Sequence, residues 1–61
     1  MRDPKRIKRI LKKIEVIWIE YPDFRLTQLI MNALALSRDP YHIEDDKLEK
    51  ALDDLKERLD I

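Results

Sequence analysis

The chain predicts an all-α fold, a small three-helix bundle forming one domain over residues 1–61. Three observations lead there. Apolar residues recur at i, i+3, i+4 spacing in three separate stretches. No stretch keeps a period of two for long enough to make a strand. The stretches are separated by turn formers, at Pro22 and at Ser37-Arg38-Asp39-Pro40.

Helix 1 is expected over about 4–20. Asp3 suits the N-cap, and Pro4 suits the first helical position because its missing N–H has no helical partner. Ile7, Ile10, Leu11, Ile14, Ile17, Trp18 and Tyr21 follow the helical repeat and predict one inward face. Pro22 pushes Tyr21 out of helical dihedrals and ends the helix.

Helix 2 is expected over about 25–36, with Asp23 as its cap and Leu26, Leu29, Ile30, Ala33 and Leu34 facing inward. Tyr41, His42 and Ile43 predict a short extended linker. Helix 3 is expected over about 46–59. Glu44, Asp45 and Asp46 stand at its start, where the helix dipole favours acids. Leu48, Ala51, Leu52, Leu55 and Leu59 make its apolar stripe, and Ile43 is placed to fold back on it as a staple. The chain has no glycine, so its turns depend on Asp, Ser and Pro.

A chain of 61 residues buries roughly 60% of its unfolded surface, so helix packing or self-association must supply its stability. It has no cysteine to form a disulfide, a composition that fits a reducing cytoplasm. One histidine and no thiol make a structural zinc site implausible. No segment approaches the roughly 18 apolar residues that span a bilayer, so no membrane role is expected. The basic start lacks the features of a signal peptide.

Charge is balanced overall but not along the chain. Residues 1–13 hold seven cations and one acid, a sum of +6; residues 14–40 sum to −2 and residues 41–61 to −4. Cations at a helix start oppose the dipole. Two readings follow. If helices 1 and 3 run parallel, the basic start lies beside Glu44, Asp45 and Asp46, and the two neutralise each other. Alternatively Lys5, Lys8, Arg9, Lys12 and Lys13 stay free and bind a polyanion such as nucleic acid through phosphate contacts. A recognition helix is not expected, because helix 2 has only Arg25 near its start and helix 3 is acidic.

Val16 and Ile19, on the outer side of helix 1, and Met31, off the stripe of helix 2, are candidate protein-contact residues. Trp18, Tyr21 and Phe24 are expected to plug one end of the core with the indole N–H and phenol O–H at its rim. Asp39, His42, Glu44, Asp45 and Asp46 have metal-ligand chemistry but match no calcium loop, so no metal or other cofactor is expected. Ser37 and Thr27 have no base at a suggestive spacing, and no enzyme activity is expected.

Several of these residues resemble known sequences. Met1-Arg2-Asp3-Pro4, Trp18, Tyr21-Pro22-Asp23, Leu26 with Gln28-Leu29-Ile30, Asp39-Pro40-Tyr41 and Glu44-Asp45-Asp46-x-Leu48 resemble very short bacterial and phage proteins of unknown function. The middle, with Trp18 and Pro22-Asp23-x-x-Leu26-x-Gln28, is distantly similar to the YihD-like domain of unknown function. Neither likeness implies an activity. The function expected is protein–protein contact, with another protein or a second copy of the chain, and polyanion binding is the alternative.

Overall fold

The computed structural model describes residues 3–35 and 40–60. Those residues form α1 (Lys5–Glu20), α2 (Leu26–Ala33) and α3 (Asp45–Leu59), with a 3-10 turn at Pro40–His42 just before α3. The fold is all-α, a small three-helix bundle. α2 ends earlier than the expected Leu36, since Leu34 leaves helical dihedrals at φ −97° and ψ 27° and closes the helix after Ala33; the Ser37-Arg38-Asp39 break lies outside the described residues.

α1 starts as expected. Asp3 Oδ1 accepts the Lys5 N–H at 2.9 Å, satisfying a donor that has no partner inside the helix. At its other end Tyr21 leaves helical dihedrals, at φ −126° and ψ 69°, ahead of Pro22. α2 departs from expectation. Asp23 does not cap it, because Tyr21 to Phe24 closes a separate turn, with Phe24 N–H donating to Tyr21 O at 3.3 Å. α2 begins later, and Gln28 Oε1 reaches back to accept the Arg25 N–H at 2.9 Å. The linker is also tighter than expected: Ile43 N–H donates to Pro40 O at 3.2 Å, closing the 3-10 turn in place of an extended strand.

α1 and α3 run parallel. Their cross-pairs advance together along both helices: Arg6 with Asp45, Arg9 with Glu49, Lys13 with Asp53, Glu20 with Lys56. α2 packs more closely on α3 than on α1. At about 1.5 Å rise per residue α2 is about 12 Å long and α1 about 24 Å, so α2 has half the reach of α1.

The core lies where the three helices meet. Ile10 and Ile17 of α1, Leu29 and Ala33 of α2, and Leu52 and Leu55 of α3 form one buried cluster. Leu29 and Leu52 are 0% exposed and Ile17 is 1%. Tyr21 and Phe24 pack against this cluster with ring centroids 6.3 Å apart. Tyr21 Oη donates to Leu59 O at 2.8 Å, and Trp18 Nε1 donates to Phe24 O at 2.7 Å. Tyr21 and Phe24 thus plug this end of the core, and desolvation raises the Tyr21 hydroxyl above its ordinary pKa; Trp18, expected in the same plug, is instead exposed, with its indole N–H on the Phe24 carbonyl.

The expected single inward face of α1 does not hold. Ile10 and Ile17 are buried, but Ile7 is 50% exposed, Leu11 58% and Trp18 37%. The apolar arc of α1 is wide: Leu11 and Ile17 sit about 120° apart on a helical wheel. α3 occupies one side of that arc, and the short α2 leaves the other side open. Leu26, expected inside, is also exposed at the first position of α2.

Candidate functional site

The five candidate polyanion-binding cations divide by helix face. Arg9 makes a bidentate pair with Glu49, Nε to Oε2 at 2.6 Å and Nη2 to Oε1 at 2.9 Å. Lys13 Nζ lies 3.0 Å from Glu49 Oε2 and 2.8 Å from Asp53 Oδ1. Arg6 bonds the Asp45 carboxylate through Nε and the Asp3 carbonyl through Nη1. Lys12 pairs along its own helix with Glu15 at 2.9 Å. Lys5 and Lys8 have no ion-pair partner among the described residues.

The electrostatics follow from this geometry. Hydrogen bonds from Arg9 and Lys13 hold the Glu49 carboxyl at about 2, well below its ordinary value. In return the Glu49 hydrogen bond raises Arg9, and the bonds to Asp53 and then Glu49 raise Lys13. The basic start of α1 thus meets Asp45 at the head of α3, and continues on Glu49 and Asp53. Sequence reasoning named Asp45 and missed the other two. The signal was present: acids at 45, 49 and 53 recur every fourth residue, so they share a helix face, and Arg6, Arg9 and Lys13 recur at three- and four-residue steps on α1.

The protein-contact candidates Val16, Ile19 and Met31 are not brought together. Val16 is half-buried in a groove of about 220 Å³ between α1 and α3, beside Lys13, Ile17 and Leu52. Ile19 is 73% exposed. Met31 lines a separate open cleft of about 650 Å³ with Tyr21, Phe24 and Gln28. His42 stacks edge-on against Tyr41 with ring centroids 5.0 Å apart. Asp39 lies outside the described residues, and no group of three metal-ligating side chains gathers among those described.

A different surface does come together. Ile7, Leu11, Ile14 and Trp18 are spaced 4, 3 and 4 residues apart, the alternation that keeps side chains on one straight seam of a helix. Three of the four are exposed and Ile14 is half-buried. Lys8 and Glu15 each follow a seam residue directly and border it on the side away from α3. The indole of Trp18 is held in place by its bond to Phe24 O, so the seam ends on a fixed aromatic anchor. This face was missed because the whole apolar arc was assigned to the core.

No family model, curated protein or solved structure matches this chain. No helix among the described residues is long and apolar enough to cross a membrane.

Proposed function

We propose that this chain is a protein-interaction module of the cytoplasm, and that its contact surface is the open seam of α1 formed by Ile7, Leu11 and Trp18. One observation carries this reading. A helix whose other face pairs with α3 presents three large apolar side chains, Ile7, Leu11 and Trp18, to solvent along one seam, with half-buried Ile14 between the last two. Scattered apolar residues on a surface are ordinary, but a row at seam spacing with a fixed tryptophan is the form taken by helix-in-groove and helix-pairing contacts. The polyanion reading has less support, since Arg9 and Lys13 are committed to Glu49 and Asp53.

The test places a photoreactive phenylalanine derivative at Leu11 and, as control, at Asp54 on the exposed side of α3. Irradiation in cells is expected to give discrete adducts from position 11 and none of the same mass from position 54. Equal labelling from both positions, or none from position 11, would overturn the reading.

A further inference from the structure

We infer that the partner of this seam is a second copy of the same chain, with the two α1 helices packed antiparallel. The inference rests on the interaction face proposed above and deepens it by naming what covers it. Run antiparallel, the seam meets itself with a different residue in every layer, so the two Trp18 indoles do not meet each other. An antiparallel two-fold axis passing between Leu11 and Ile14 places Ile7 opposite Trp18 of the second copy and Leu11 opposite its Ile14. Each layer then joins one well-exposed residue of the N-terminal half to one from the C-terminal half, and both tryptophans are covered.

Charge selects the same direction. In antiparallel helix pairs, the residues that follow the seam on one side of each helix face one another across the interface. Here those residues are Lys8 and Glu15, so Lys8 of each copy faces Glu15 of the other, twice by symmetry. Among the described residues Lys8 has no ion-pair partner, and Glu15 pairs with Lys12 alone, in an exposed contact along the same helix. A parallel pairing would instead bring the two basic starts, each summing to +6 over residues 1–13, to one end. The opposite border of the seam is Ile10 and Ile17, already buried in each copy's own core, so no charge is desolvated there.

The energetic case is modest but favourable. Two heptads are too short for free helices to pair, because ordering each helix would consume the gain. In this chain each α1 is already ordered by its own bundle, so association does not bear that cost. The seam is four side chains of one helix in each copy, so the dimer forms reversibly and depends on concentration.

The full chain provides the test. Sedimentation equilibrium from about 5 μM to about 500 μM should show the mass rising from 7.4 kDa toward twice that value. Emission of the single tryptophan should shift to the blue over the same range as Trp18 loses contact with water. Leu11→Asp should remain monomeric with unchanged helical circular dichroism. Lys8→Glu should raise the dissociation constant by about threefold to tenfold, and Lys8→Glu with Glu15→Lys should restore it. A constant mass of 7.4 kDa to the highest concentration overturns the inference, as does a dimer that Leu11→Asp leaves intact. A dimer weakened by Lys8→Glu but not rescued by the charge swap overturns the antiparallel register. If the mass stays monomeric while the photoreactive group at Leu11 still labels a different protein, the second-copy inference fails and the interaction face survives. Silence in both experiments ends both.

Discussion

The two long faces of α1 carry similar side chains and meet opposite fates. Toward α3, Ile10 and Ile17 are buried, and Arg6, Arg9 and Lys13 each find an acid. About a third of a turn away, Ile7, Leu11 and Trp18 meet solvent, and Lys8 finds no partner among the described residues. Hydrophobicity does not distinguish them, since Ile10 and Ile17 on one face and Ile7, Leu11 and Trp18 on the other are all strongly apolar. The difference lies in what is available to cover each. α3 is nearly as long as α1 and runs beside it, whereas α2 is half that length and packs mainly on α3. A helix face is inward only where a neighbour reaches it.

The sharpest way to break this comparison is to cut one buried and one open residue to the same size. Leu29→Ala should cost about 2–5 kcal/mol, because Leu29 is fully enclosed and its loss leaves a cavity. A core this small rarely supplies more than about 3–5 kcal/mol, so the variant should be largely unfolded by circular dichroism at room temperature. Leu11→Ala, measured by urea titration in dilute solution, should stay within about 0.5 kcal/mol of the parent. Similar losses for the two would show that α1 has a single buried face after all.

A second prediction concerns acid. The Glu49 carboxyl sits at about 2 in the folded chain, below the ordinary 4.5 expected on unfolding. Its contribution is therefore complete above about 4.5 and is lost as the pH falls toward about 2. Thermal midpoints should drop across that window. Glu49→Gln should start lower at neutral pH and drop less on acidification, narrowing the gap to the parent. Two parallel curves would mean that Glu49 does not anchor α1 to α3.

The smallest effect separates two lysines five residues apart. Lys13→Gln should lower the thermal midpoint at low salt, since it removes a partner of both Glu49 and Asp53, and added salt should shrink the difference. Lys8→Gln in dilute solution should leave the midpoint unchanged. An equal loss at both positions would place Lys8 in an intramolecular pair and remove it from the open face.

Much of this was legible in the sequence. Periodicity alone marks all three helices, and Asp3 with Pro4 sets the start of α1 to within one residue. The apolar stripe of α3 reads correctly throughout: Leu52 and Leu55 are buried, and Leu48, Ala51 and Leu59 pack against them. Tyr21 and Phe24 were legible as an end plug because bulky side chains beside a Pro-terminated helix have few places to go, whereas Trp18, assigned to the same plug, stays on the open face with its N–H on Phe24 O. Asp23 misled, since a cap residue acts only if the next residue enters the helix, and the Tyr21–Phe24 turn intervened. The candidate site was less legible. Val16, Ile19 and Met31 stood out by lying off the stripe, while the seam was hidden inside the stripe.

The sequence by itself determined which residues can be helical, which arc of each helix is apolar, and how cations are spaced along α1 and acids along α3. Those are properties of local spacing and charge, which act within a few turns of one chain segment. Only the tertiary structure decided how much of the α1 arc is covered. That depends on where α2 ends and on its preference for α3 over α1, a balance of contacts among three bodies that no single helical repeat encodes.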